Sequence, residues 1–156
     1  MLRKYKPLLV CLAVPLAVGG LSALLTRGGM DFYETAAKPP LSPPGWVFPV
    51  VWTLLYLLMG VSSYLVWREK TAPGRRAALR VYGAQLAVNF VWPLLFFLAR
   101  AFLPAFLWLL LLAALVVVML RRFDRVSSRA AWLQFPYLFW CLFAAYLNFG
   151  VYLLNR

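Results

Sequence analysis

The side chains able to do acid–base, nucleophilic or metal chemistry are few in this chain. It has no histidine, two cysteines and four acids. Without histidine there is no Ser-His-Asp or Cys-His catalysis, and no His-ligated zinc or haem. Cys11 and Cys141 stand far apart in apolar runs, with no CxxC between them, so neither a thiol redox pair nor a cysteine-rich metal site is expected. The acids Asp31, Glu34, Glu69 and Asp124 all lie outside the long apolar runs. An ion-coupled pump needs an ionisable group at membrane depth, and none is available. No catalytic residue and no metal ligand emerges from conventional chemistry, and no cofactor is required.

Binding chemistry is better represented. At 100° per residue, Tyr82, Gln85, Asn89, Trp92 and Phe96 fall in one stripe about 80° wide. Tyr137, Trp140, Ala144, Asn148, Val151 and Asn155 share a second face, with a polar or aromatic group at nearly every turn. Trp52 and Tyr56 lie four residues apart, after Trp46 and Phe48. Carboxamides cost free energy in hydrocarbon unless paired, so these faces should point inward. Two readings fit. The amides could tie helices together while Trp and Tyr form interfacial belts. Alternatively, the rings line a pocket for a flat, mostly apolar ligand, with a few amides to orient it. Gly83 and Ala87 lie nearly opposite the Gln85/Asn89 stripe, a small-xxx-small pair that lets helices approach closely. Its partner is a second copy of the chain, making a homodimer, or a neighbouring helix of the same chain.

These faces need long helices to carry them, and the composition supplies them. Of 156 residues, 65% are hydrophobic and only 13% charged, about half the charge of a soluble domain. The deficit is concentrated in five charge-free runs, 8–26, 41–67, 81–99, 101–120 and 130–155. Each is long enough to cross about 30 Å of hydrocarbon as a helix, and none alternates as a barrel strand would. The expected fold is a single all-α membrane domain over 1–156, a five-transmembrane-helix bundle with helices at about 7–26, 44–67, 77–99, 103–121 and 129–154. The first run continues past a weak cleavage pattern at Ala17-Val18-Gly19, too far for a typical signal peptide.

Sixteen basic residues against four acids are a topology signal. Twelve of the sixteen fall at the N-terminus and in the loops after the second and fourth runs. In a bacterial cell membrane this places the N-terminus in the cytoplasm and the C-terminus outside. No polar domain exists to present a basic patch to nucleic acid, so no nucleic-acid partner is expected. The first loop, Arg27–Pro43, is long and proline-rich towards its end. Prolines fix φ and disfavour helix in the residues before them, so the loop should be extended and stiff: a lid over one end of the bundle, or a plain connector.

Several stretches are recognisable in order: Lys38-Pro39 through Pro43-Pro44-Gly45-Trp46-Val47-Phe48; Val51-Trp52-Thr53-Leu54-Leu55-Tyr56; Tyr82-Gly83-Ala84-Gln85 through Asn89-Phe90-Val91-Trp92; and Pro136-Tyr137-Leu138-Phe139-Trp140 followed by Phe143-Ala144-Ala145-Tyr146-Leu147-Asn148. With them the chain resembles the translocator protein family, also called tryptophan-rich sensory proteins or peripheral benzodiazepine receptors. The resemblance implies a five-helix membrane bundle, commonly a homodimer, that binds porphyrins and other tetrapyrroles, sterols and isoquinoline-type drugs beneath the first loop. It implies loop contacts at Tyr33 and Pro43, and pocket walls at Asn89, Trp92 and Ala144. Trp52 and Trp140 match tryptophans proposed to act in light-dependent porphyrin breakdown. The chain departs from the pattern at Leu41, where the family often has Trp, and in Phe32-Tyr33-Glu34, usually Trp-Tyr-Asp, so the lid should stack less strongly on a ligand. Leu147, Tyr152 and Arg156 satisfy the loose cholesterol pattern.

The expected function is that of an integral-membrane tetrapyrrole-binding protein of translocator or sensor type. Its expected ligand-binding set is Tyr33, Pro43, Phe48, Trp52, Tyr56, Gln85, Asn89, Trp92, Trp140, Phe143, Ala144 and Asn148. Gly83 and Ala87 are the expected dimer contact, and Arg27 or Lys38 would meet ligand carboxylates at the mouth. The alternatives are a light-dependent porphyrin-degrading enzyme using Trp52 and Trp140, and a structural or partner-binding membrane protein without a small-molecule ligand.

Overall fold

A computed structural model describes residues 2–156 of the chain. Five long helices dominate it: α1 (Leu2–Thr26), α3 (Val47–Trp67), α4 (Arg75–Pro93), α5 (Phe102–Val126) and α6 (Ser128–Leu154). A short helix, α2 (Met30–Thr35), follows α1 after one 3₁₀ turn, Arg27–Gly29. All five long helices are long and apolar enough to cross a membrane. The helices sit where the charge-free runs placed them; α1 and α5 extend further than expected, whereas α3 starts three residues later than expected, at Val47. α1 begins at Leu2 and α5 runs to Val126, because basic residues at helix ends keep their charges in water while the backbone stays helical.

Neighbouring helices close a ring in the order α1–α3–α6–α5–α4. The inward faces carry the aromatic and carboxamide residues. Tyr82, Gln85, Asn89, Trp92 and Phe96 are all buried, as their stripe required, while Gly83 and Ala87 are exposed on the opposite side. The outer surface is apolar, with Leu9, Val14, Leu24, Leu54, Leu107 and Leu111 all exposed, as lipid-facing surface should be.

Two local devices shape the lid end of the ring. Pro93 lacks the N–H that would continue the α-helical ladder, and a π-helical segment, Leu94–Leu98, follows it. The wider turn lets consecutive residues Phe96 and Phe97 both face the core, which a regular α-helix would set about 100° apart. At the start of α3, Gly45 and Trp46 form a turn and Pro49, rather than Pro44, occupies the first helical turn, where a missing N–H costs nothing.

The first loop is only partly extended. Residues 27–35 are helical, and only 36–46 run as extended chain and turns. The prolines begin at Pro39, so they leave Met30–Thr35 free to coil. Lys38 Nζ donates to the carbonyls of Tyr33 (2.8 Å) and Glu34 (3.3 Å), capping α2 at its C-terminus. The extended half is tied to α6. Asn155 Oδ1 accepts from Ala37 N at 3.2 Å, Asn155 Nδ2 donates to Ala37 O at 2.7 Å, and Tyr146 OH donates to Pro40 O at 2.7 Å. Pro39 packs so closely on Gly150 that no side chain fits there. The loop is thus a fixed cover over the end of the bundle.

Candidate ligand-binding site

Beneath this cover, α1, α3 and α4 border a half-open cavity of about 260 Å³. Phe48, Trp52 and Tyr56 from α3 form one wall, with Pro49 beside them. Trp92, Pro93 and Phe97 form a second. Gly19, Ser22, Ala23 and Thr26 of α1 form the third, and Arg27, Met30 and Gly45 close the top. The lining is almost wholly apolar because its hydroxyls are used internally. Ser22 Oγ donates to Phe90 O at 3.1 Å, and Thr26 Oγ1 donates to Ser22 O at 2.9 Å. Arg27 is the one ionic side chain in the wall. Lys38 is committed to the α2 carbonyls, which leaves Arg27 as the cation at the mouth.

The rings are locked against one another. Trp52 stacks on Tyr56 with centroids 5.5 Å apart and meets Trp140 edge-on at 6.4 Å. Phe48 meets Tyr33 edge-on at 5.0 Å and Trp140 at 5.8 Å. Tyr33 is 2% exposed, and its hydroxyl donates to Pro43 O at 2.7 Å. A second void, of only about 10 Å³, lies among Tyr33, Phe48, Trp92, Phe96, Ala144, Leu147 and Asn148. Phe48 and Trp92 belong to both walls, so their rings are the partition between cavity and void. A third space is an open groove on the outside, between α3 and α6, lined by Val51, Leu54, Leu55, Leu58, Pro136, Phe139, Trp140 and Phe143.

The expected ligand-binding residues therefore divide. Phe48, Trp52, Tyr56 and Trp92 line the cavity between α1, α3 and α4. Tyr33, Ala144 and Asn148 surround the small void. Trp140 and Phe143 line the outer groove, with Trp140 touching the rings of Phe48 and Trp52 from behind. Pro43 acts through Tyr33. Gln85 and Asn89 belong to none of these three walls. They form a hydrogen-bonded network below: Tyr56 OH donates to Asn89 Oδ1 (2.9 Å), Asn89 Nδ2 to Tyr137 OH (2.7 Å), and Tyr137 OH to Gln85 Oε1 (2.6 Å). Asn148 is committed too, accepting from Trp92 Nε1 at 2.9 Å and donating to Phe102 O at 2.8 Å. The two readings of these faces thus share the work: amides tie α3, α4, α5 and α6 together, while rings enclose space.

The α1 wall was not foreseen. Gly19, Ser22, Ala23 and Thr26 recur at i, i+3, i+4 and i+7, a small-residue stripe that permits close approach or open space. That spacing was the available signal.

The Asn89 node should be costly to remove. Asn89→Leu leaves the buried Tyr56 hydroxyl without an acceptor. We expect a loss of about 1–3 kcal/mol, read as a lower thermal unfolding midpoint in detergent or lipid.

Residues 11–154 match the TspO/MBR family. The chain is 40% identical to the translocator protein of Ovis aries over 146 residues, covering 92% of this chain and 86% of that one. It is 34% identical over 153 residues to the tryptophan-rich protein TspO of Chlorobaculum tepidum, covering 95% of both chains. It is 35% identical over 141 residues to the protein of the same name from Archaeoglobus fulgidus, covering 90% of this chain and 91% of the relative.

Proposed function

The chain belongs to the TspO/MBR family and is an integral membrane protein, and from that premise we propose that it binds a flat, largely apolar tetrapyrrole in the cavity beneath the lid. The single observation that carries this reading is the cavity wall itself, where Phe48, Trp52, Tyr56 and Trp92 present aromatic surface around one cation, Arg27. Ring faces suit a planar conjugated ligand, and the guanidinium at the mouth suits its carboxylates. With no histidine in the chain, a porphyrin is held by stacking and ion pairing, without axial imidazole. The same apolar walls accept sterols and isoquinoline-type drugs. The cavity lies just below the roughly 300–1,000 Å³ typical of small-molecule sites. Phe48 therefore turns when a porphyrin binds, joining the cavity to the void at Ala144. Titrating the protein in lipid nanodiscs with metal-free and iron porphyrins tests this through tryptophan emission. Saturable quenching with closely similar affinities is the expected result. Non-saturable quenching contradicts binding, and much tighter binding of the iron form contradicts the absence of axial ligation.

In this reading the basic ends of α3–α4 and α5–α6 lie in the cytoplasm and the lid faces outward, as the positive-inside rule requires of a bacterial cell membrane. The protein is a homodimer through the exposed Gly83/Ala87 face of α4. A Cβ at Gly83 would meet nothing within 4 Å inside the protomer, so the position is open to a partner. Gly83→Leu is expected to shift a dimer towards monomer in light-scattering or cross-linking measurements while leaving the monomer's unfolding midpoint unchanged.

A further inference from the structure

The end of the bundle away from the lid is strongly basic, and its charges are grouped more closely than topology needs. Orientation depends on how many lysines and arginines a loop carries, not on where each one sits. Here Arg76 and Arg80 lie one turn apart on α4, and Arg122 and Arg125 about one turn apart on α5. The two helices pack on one another in opposite directions. The rings of Tyr82 and Phe123 are 6.0 Å apart near this end, and Trp108 Nε1 donates to Val88 O at 2.7 Å further in. The four arginines therefore share one level at the α4–α5 seam. At 100° per residue, Arg122 falls about 40° from Trp108, on the side of α5 next to α4, while the acid Asp124 falls about 160° away.

All four side chains are exposed. Among the described residues the one ion pair is Arg68–Glu69, at 3.8 Å, so none of the four has an acidic partner. Like charges at this spacing repel. Arg76 also lies in the first turn of α4, where the helix dipole favours an anion and disfavours a cation. A shared anion relieves both terms. The basic residues of these two helix ends are all arginine, whose planar fork pairs with phosphate oxygens two at a time. Deeper in the membrane the same surface is apolar. Ala84 and Ala87 are exposed on α4, with Leu111 and Val118 exposed on α5, and the small α4 side chains keep that surface low. A phosphate that carries acyl chains matches both halves, whereas inorganic phosphate matches only the arginines.

We infer that the α4–α5 seam holds an anionic phospholipid, its phosphodiester between Arg80 and Arg122 and an acyl chain against Ala84. Arg76 and Arg125, nearer the helix ends, add to the field that attracts it. A choline headgroup brings its own cation into that field, so phosphatidylglycerol is favoured over phosphatidylcholine. The seam flanks the Gly83/Ala87 face rather than covering it, because Gly83 and Ala84 point about 100° apart. The inference therefore depends neither on what the cavity binds nor on dimerisation.

The test is native mass spectrometry of the full chain in a neutral detergent, titrated with phosphatidylglycerol or with phosphatidylcholine of the same acyl chains. One phosphatidylglycerol is expected to bind well ahead of phosphatidylcholine. Arg80→Gln/Arg122→Gln is expected to weaken it about 10- to 30-fold. Arg3→Gln/Lys4→Gln removes the same charge from the start of α1 and is expected to change it less than about threefold. All four substituted side chains are exposed, so neither double variant disturbs the packed core. Equal losses in the two variants mean diffuse attraction to net charge and overturn the inference, as does equal binding of the two lipids. Displacement of the lipid by inorganic phosphate overturns it too, since the site would then need no acyl chain.

Discussion

Replacing Gly60 with valine is expected to separate α1 from α3 and to remove ligand binding with it. A Cβ at Gly60 would lie 2.8 Å from the Cα of Leu12 and 2.9 Å from the carbonyl oxygen of Cys11. Both are backbone atoms, so no rotamer change relieves the contact and the whole of α1 must shift. Overpacking of this kind costs about 1–3 kcal/mol, and a clash with backbone belongs at the upper end. α1 packs mainly on α3 and α4, so it has few other contacts to hold it in place. Because α1 supplies Gly19, Ser22, Ala23 and Thr26 to the cavity, its displacement opens the third wall. The unfolding midpoint and porphyrin affinity should fall together. Gly20→Ala is the control: that exposed α1 site is open, and alanine in a helix is favoured over glycine by roughly 0.5–1 kcal/mol.

The second large effect falls on the ligand alone. Trp52 is half-buried and presents ring surface to the cavity, stacked on Tyr56 in the same wall. Trp52→Ala removes an aromatic face worth about 1.5–3 kcal/mol when covered. At 1.4 kcal/mol per decade, porphyrin affinity should fall by roughly 10- to 100-fold. Trp140→Ala should cost less than about 10-fold, because that ring lines the outer groove and supports Phe48 and Trp52 from behind. Equal losses at both positions would mean that the ligand lies between them rather than in front of Trp52.

How far the sequence reaches is set by what each pattern measures. Continuous charge-free runs locate membrane helices because length and hydropathy decide spanning. The inward face of α4 was readable because Gln85 and Asn89 cannot face lipid, and the helical repeat carries Tyr82, Trp92 and Phe96 with them. The Arg27–Pro43 loop was legible as a cover but not as a helix, since the prolines that dominate it start after α2 has ended. The α1 wall escaped notice because glycine, alanine, serine and threonine leave no hydropathy contrast in an apolar run. Gln134 lies just beside the face traced through Tyr137 and Trp140, and its burial depends on how α3 closes over it. The size of the cavity is a matter of rotamers: whether Phe48 divides or joins two spaces cannot be periodic in sequence. The family's signature residues mark the site's neighbourhood, and tertiary packing then sorts them into the cavity beneath the lid, the small void and the outer groove.

In the proposed function a planar tetrapyrrole lies against Trp52, between α1, α3 and α4, with no axial ligand from the protein. The most direct measurement is a crystal structure with a metalloporphyrin bound, with the metal located by its anomalous scattering. The expected result is the metal inside the cavity, the macrocycle stacked on Trp52, Phe48 turned towards Ala144, and no protein side chain at coordinating distance. Metal density in the outer α3–α6 groove beside Leu58 and Phe139, or a protein side chain bound to the metal, would contradict it.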